Sequence, residues 1–303
     1  MKTVIAVLLL LVSPFMSKAQ TGSDKRSDLE KSQLQGAVAS LKETKYSVRM
    51  QNGKAVKDTV AEPAKSYRYN AAGFITEEIY YELNDSISEK WTFSFDAANK
   101  QLDGNRYLAD GYLIWNYTCA YDAAGNCTEV SKYEEGYLVE VSAFAYDSRG
   151  NCIAITSESE GMWKDSMRYD ERNNEIESLT INPEGETVMH KKKTYDSNNN
   201  LTEATDYDET GEVSFKQTFG YDKNNRETES TYRTAQGAVM ERVSRSYDNR
   251  GNVISYTSYK DNGDAKWTMT YTYEYDKNRN WTKKTDFADG KPVYITERKI
   301  TYY

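Results

Sequence analysis

The chain has 303 residues, with 39 Lys and Arg against 47 Asp and Glu and a formal net charge of −8. That balance argues against a nucleic-acid backbone or an anionic membrane surface as partner. A single histidine and three cysteines leave little material for metal or triad chemistry, and much of the apolar content is tyrosine, at 26 residues.

Residues 1–19 read as a secretory signal peptide: Lys2, an apolar run from Val4 to Val12, then Ser17-Lys18-Ala19 as a small-x-small cleavage site. The run is too short to span a membrane. The mature chain is expected to begin at Gln20 and to be exported, to the periplasm or beyond the cell. No later stretch is apolar enough for a membrane span. Residues 20–33 are polar and charged and are expected to be a flexible linker. Residues 34–303 form the expected repeat domain. Leu34 to Ser47 has helix propensity but reads as a strand, because Gln51-Asn52-Gly53-Lys54 is a hairpin turn signal. Ala55 to Ser66 is the least repeat-like segment and is expected to be a longer loop around Pro63.

From there one unit recurs. An aromatic-Asp pair appears at Phe95-Asp96, Tyr121-Asp122, Tyr146-Asp147, Tyr169-Asp170, Tyr195-Asp196, Tyr221-Asp222, Tyr247-Asp248 and Tyr275-Asp276. Tyr69-Asn70 is a weaker first copy, and Tyr302-Tyr303 occupies the same slot. A fixed period marks a repeat architecture. Two residues before each pair is a mostly apolar column that includes Tyr67, Phe93, Phe144, Phe219 and Tyr273, so a half-buried strand leads into the pair. A turn such as Asp-Ala-Ala-Gly-Asn at 122–126 follows; Asp caps such turns through its carboxylate. Twelve residues beyond the pair a second column closes another strand (Tyr81, Tyr107, Tyr133, Tyr207, Tyr259, Phe287), and a second turn ends in Gly. The expected fold is all-β: a repetitive antiparallel β-hairpin meander forming a long twisted or coiled sheet. About twenty strands at ~4.8 Å spacing give roughly 95 Å of sheet, which coiling would bring round to cover its own apolar face.

Tyr273-Glu274-Tyr275-Asp276, Tyr247-Asp248-Asn249-Arg250-Gly251-Asn252 and Tyr121-Asp122-Ala123-Ala124-Gly125-Asn126 resemble the YD-repeat, or Rhs-repeat, family of bacterial proteins. The likeness covers about residues 67–303. It implies a spiralling β-sheet, which in some members becomes a closed shell around a toxic cargo, and it implies carbohydrate binding. This chain is expected to be a short exported member without a toxin domain.

His190 has the opposite parity to Tyr195 in its strand and is expected to face outward in a structural role. Cys127 and Cys152 occupy one slot in successive repeats, beyond disulfide reach; Cys119 and Cys127 flank one turn and could meet diagonally as a disulfide or stay small core residues. The Asp-x-x-Gly-Asn turns present one carboxylate per repeat, which suits turn capping better than calcium. Tyr80, Tyr112, Tyr137, Tyr232 and Tyr256 have the wrong parity for the apolar columns and are the candidate binding residues, as exposed rings that stack on sugars or a partner protein. No column gathers paired acids, His or Cys, so no catalytic site, cofactor or metal is expected. The expected function is binding of a glycan or cell-envelope polymer through an extended aromatic surface. The alternative is a structural or protein–protein interaction repeat of the cell surface.

Overall fold

The structure, a computed structural model, describes residues 26–303. The expected signal peptide and the cleavage point at Gln20 lie outside the described residues. One helical turn, α1 (Asp28–Lys31), precedes twenty strands. They are β1 (Val38–Gln51), β2 (Lys54–Tyr69), β3 (Ile75–Tyr81), β4 (Ile87–Phe95), β5 (Gln101–Leu108), β6 (Leu113–Tyr121), β7 (Cys127–Glu134), β8 (Tyr137–Tyr146), β9 (Cys152–Glu158) and β10 (Met162–Tyr169). There follow β11 (Glu175–Ile181), β12 (Thr187–Tyr195), β13 (Leu201–Tyr207), β14 (Val213–Tyr221), β15 (Glu227–Thr234), β16 (Val239–Tyr247), β17 (Val253–Tyr259), β18 (Ala265–Tyr275), β19 (Trp281–Ala288) and β20 (Lys291–Tyr302).

Each strand pairs antiparallel with the next, and β20 pairs with β1 from Tyr302 opposite Val38 to Tyr294 opposite Ser47. The sheet is therefore a closed 20-stranded barrel, not an open twisted or coiled one. Closure removes both edges and the unpaired N–H and C=O groups they would expose. An even strand number lets an up-and-down meander close antiparallel. The expected loop at 55–66 is instead part of β2, which pairs with β1 through three register shifts; those irregularities hide its alternation. The expected strand at 34–47 begins at Val38.

The expected linker also holds structure within residues 27–33. Ser27 and Glu30 form a capping box around α1. Asp28 Oδ2 accepts the Ile75 N–H at 2.7 Å, and Leu29 N–H donates to the Gly73 carbonyl at 3.1 Å. Leu29 then packs with Leu34, Val38, Leu41 and Tyr69 in a small core at one mouth of the barrel.

All the aromatic-Asp turns lie on that mouth, and the glycine turns lie on the other. Each Asp-turn carries a bulge: Gly220 opposes Glu229 but Tyr221 opposes Glu227, so Thr228 is extra. One extra residue reverses the parity of the following strand. Tyr232 consequently shares a face with Gln217, its cross-strand partner, and with Phe219 and Tyr221. The same shift puts Tyr80 beside Lys65 and Tyr256 beside Arg245 on that face. This corrects the expectation that Tyr80, Tyr232 and Tyr256 point away from the apolar columns. The Tyr81, Tyr207 and Tyr259 column points away instead. Tyr207 stacks on His190 at 4.7 Å and Tyr259 hydrogen-bonds Ser244.

The aromatic face is the inner, concave one. In β18, Tyr271, Tyr273 and Tyr275 are half-buried while Thr270, Thr272 and Glu274 are exposed; β10 alternates the same way. The larger core cluster runs along this inner face on one arc, with Trp91, Phe93, Trp115, Tyr117, Val130 and Phe144 at its centre. Trp91 and Trp115 meet edge to face at 5.0 Å.

At the glycine mouth Gly211 has φ +87°, and no atom lies within 4 Å of where a Cβ would stand. Space is therefore not the constraint; the left-handed backbone is. Gly211→Val is expected to cost about 1–2 kcal/mol in urea unfolding. An unchanged midpoint would remove the conformational argument for the glycine turns.

Candidate functional site

In six of the seven Tyr-Asp pairs the tyrosine ties its repeat to the one before through a backbone carbonyl; in the seventh, Tyr275 Oη donates to Asp248 Oδ2 at 2.9 Å. Tyr121 Oη donates to the Gln101 carbonyl, Tyr146 to Cys127, Tyr169 to Cys152, Tyr195 to Glu175, Tyr221 to Leu201 and Tyr247 to Glu227, at 2.6–2.8 Å. Each of these carbonyl acceptors is the first residue of a strand, at the bulge. Burial pushes the Tyr169 and Tyr195 hydroxyls up to about 12. These rings are committed to the wall and are not free ligand platforms.

The adjacent aspartates hold the turns. Asp196 Oδ1 accepts the N–H groups of Asn198 and Asn200 at 2.8 and 2.9 Å, and Oδ2 accepts the Asn200 amide at 2.9 Å. The Asn200 amide also donates to Asn225 Oδ1 on the next turn, as Asn174 does to Asn199. These donors hold the carboxyls of Asp122, Asp170 and Asp196 below the usual carboxylate range, chiefly through the Asn side chain of each turn. The carboxylates are spent on turn capping.

The five candidate tyrosines fall into two groups. On the inner wall Tyr80 packs against the core cluster and donates to Glu78 Oε2 at 3.3 Å. Tyr232 stacks on Phe215 at 5.3 Å and 19°. Tyr256 stacks on Trp267 at 5.2 Å and 18°, with the Arg245 guanidinium 5.2 Å from its ring. At the glycine mouth Tyr112 and Tyr137 are 51% and 76% exposed, and Tyr112 Oη donates to Glu135 at 2.9 Å. The structure does not bring the five into one surface.

His190 lies on the outer face as expected, and its Nε2 is 2.8 Å from Glu177 Oε1. All three cysteines are free thiols. Cys127 Sγ donates to the Glu129 carbonyl at 3.5 Å, and the neighbouring Cys127 thiol together with burial pushes the Cys119 thiol well up. Among the described residues no cluster of His, Cys and carboxylates has the makings of a metal site.

A recess of about 570 Å³ lies on the inner face at the seam where β1 and β2 meet β20. Its charged lining holds two ion pairs and Lys65, whose Nζ stands 4.9 Å from the Tyr80 ring centroid. Lys45 Nζ is 2.6 Å from Glu62 Oε1, and Arg298 Nε is 2.8 Å from Glu43 Oε2. Tyr67, Tyr69 and Leu41 provide its less polar side. Arg298 lies over the Trp281 ring at 3.5 Å and Lys45 over Tyr294 at 4.3 Å. Repeat reasoning missed this site, because its members come from opposite ends of the chain.

No family model matches the chain, and no curated protein matches it. Among solved structures it is similar to a porin-like protein from Bacteroides uniformis, at 12% identity and TM-score 0.36, over 87% of this chain and 96% of that one. It is also similar to a Tc holotoxin pore structure from Photorhabdus luminescens, at 12% identity and TM-score 0.26, and to a TcdB2-TccC3-Cdc42 structure, at 11% and 0.27. The chain spans 18% of each of those two toxin chains. No helix among the described residues is long and apolar enough to cross a membrane.

Proposed function

We propose that this is an exported, non-enzymatic repeat barrel of the YD type that binds a glycan or cell-envelope polymer along its aromatic inner wall. The observation that carries this reading is the pair of stacked platforms on that wall, Phe215–Tyr232 and Tyr256–Trp267, at nearly equal ring separations of 5.3 and 5.2 Å. Ring faces of this kind stack on sugar C–H surfaces, while neighbouring polar groups meet hydroxyls. Chemistry of the catalytic kind has no support in the arrangement: the aspartates cap turns and the repeat tyrosines bind backbone carbonyls.

Affinity should be spread over several repeats. Tyr232→Ala with Tyr256→Ala is expected to weaken binding on a glycan array and in titration by about tenfold, near the worth of two ring contacts. Unchanged binding of the double variant would exclude the wall as the binding surface.

The second reading is a protein-interaction repeat. It is favoured by exposed apolar side chains on adjacent glycine turns, where Leu108, Tyr112, Leu113, Tyr137 and Leu138 are all more than a third exposed. Loss of a protein partner on Tyr112→Ala and Tyr137→Ala, with glycan binding intact, would select it.

A further inference from the structure

The protein-interaction reading does not say what kind of partner the glycine mouth takes. We propose that the arc of four glycine-mouth turns between β3 and β10 docks a cationic amphipathic polypeptide, one that presents Lys or Arg around an apolar face. The inference rests on that second reading and adds to it the extent of the surface and the chemistry of the partner.

The first ground is a contiguous apolar surface. Leu83, Tyr112 and Tyr137 lie at successive turns, and all three are exposed. Beside them on the outer face, Ile87, Leu113 and Leu138 stand opposite Tyr81, Tyr107 and Tyr133, and they are exposed too. Met162 continues the row on the fourth turn. Three steps of two strands at ~4.8 Å make the arc roughly 30 Å long, the length of a helix of about twenty residues. Single exposed apolar side chains are ordinary, but a row of them on adjacent turns marks an interaction surface. The row is not a property of the repeat: further round the same mouth, turn 208–212 reads Asp-Glu-Thr-Gly-Glu, with no large apolar side chain.

Charge then selects the occupant. Turns 82–86, 109–112, 135–136 and 159–161 each carry Asp or Glu, and none carries Lys or Arg. Lys42 is paired with Asp85 at 2.6 Å and Lys132 with Glu134 at 2.8 Å, Lys90 stands 5.4 Å from the Tyr107 ring centroid, and Lys164 shares the outer face of β10 with Met162. Against these, Glu82, Asp110, Glu135, Glu158 and Glu160 are exposed and form no ion pair among the described residues. The opposite ends of the same strands differ: their turns include Lys100 and Arg149, and Asp122 and Asp147 are spent on capping. A lipid surface would have to strip water from the acids as the apolar side chains entered it. A second copy seated mouth to mouth would set like charges against like. A polypeptide with Lys or Arg around an apolar face meets both features at once, with apolar contact at the centre and charge pairs at the rim.

The test is fluorescence anisotropy of the full chain with three labelled probes: a synthetic amphipathic Leu–Lys peptide, its Leu–Glu counterpart, and polylysine. Wild type is expected to bind the Leu–Lys peptide, to bind polylysine about tenfold more weakly or worse, and to leave the Leu–Glu peptide unbound. Added salt should weaken the Leu–Lys complex. Tyr137→Ser with Leu138→Ser, and Glu135→Gln with Glu160→Gln, should each weaken it about tenfold. Glu209→Gln with Glu212→Gln, further round the mouth, should leave it unchanged. All six side chains are exposed, so the variants keep the fold. An equal loss in the Glu209 and Glu212 variant, or no loss in the other two, would overturn the site. Polylysine bound as tightly as the Leu–Lys peptide would mean charge attraction alone and overturn the docking. A Leu–Glu peptide bound as tightly or more so would overturn the cationic partner and leave protein interaction standing; failure to bind either amphipathic peptide would overturn both. Sedimentation with phosphatidylcholine vesicles, or self-association, that the Tyr137 and Leu138 substitutions abolish would give the surface to lipid or to a second copy and overturn the proposal.

Discussion

Gly104→Val is expected to be among the most destabilising single substitutions in the barrel. Gly104 sits within β5, directly opposite Tyr117 of β6 on the inner face. The Tyr117 ring lies over the glycine: a Cβ there would stand 2.6 Å from Tyr117 Oη and closer still to the ring carbons. Tyr117 is 1% exposed at the centre of the core cluster, and the Gln101 amide donates to its hydroxyl. It has little room to yield. Overpacking a closed core costs about 1–3 kcal/mol, and a β-branched side chain against a fully buried ring belongs at the upper end. The check is urea unfolding followed by tryptophan fluorescence, since Trp91 and Trp115 flank the site. A second variant separates clash from any other effect. Tyr117→Leu removes the ring, so the double substitution should cost clearly less than the two single costs added. Additive costs would show that the close approach is not the cause.

That glycine also marks what was readable in the sequence. A glycine inside a strand signals a close approach of another group, and Gln101-Leu102-Asp103-Gly104-Asn105 carries the signal plainly. What it could not say is which ring approaches. The repeat, the antiparallel strands and the two sets of turns were legible, because each is a local matter of alternation and turn chemistry. The facing of the second strand in each repeat was not. Counting residues from Tyr221 puts Tyr232 on the outside; the bulge at Thr228 puts it inside. The Asp-turn glycines and asparagines are compatible with a bulged or an unbulged hairpin, so composition alone leaves the parity open. Closure was hidden for another reason. Pairing Leu41 with Ile300 joins residues from the two ends of the domain, and nothing periodic in either strand names its partner. The seam recess inherits that difficulty. Glu43 and Arg298 read separately as solvated strand charges, and only closure makes them a pair.

The last expectation concerns alkaline pH, where the barrel should unfold cooperatively. Burial pushes the hydroxyls of Tyr67, Tyr169 and Tyr195 up to about 12, and it pushes those of Tyr69, Tyr80, Tyr117, Tyr146 and Tyr273 higher still. In an unfolded chain the same groups ionise near pH 10. A folded pKa raised above the unfolded one contributes stability that is fully present below pH 10. Between about pH 10 and 12 the unfolded chain sheds protons that the folded chain keeps, so stability falls as pH rises. Several groups act in the same direction, which makes the fall steep. A structural consequence compounds it: a tyrosinate cannot donate, so ionisation of Tyr169 or Tyr195 removes the bond to the Cys152 or Glu175 carbonyl that joins one repeat to the next. Melting temperature should therefore be nearly flat from neutral pH up to about 10 and drop sharply above it. Tyrosinate absorbance and far-ultraviolet circular dichroism, followed together against pH, should change in one shared step above pH 10. Smooth ionisation of all 26 tyrosines near pH 10 with the β-signal intact would mean that the inner wall is wet and the hydroxyl ladder carries little weight.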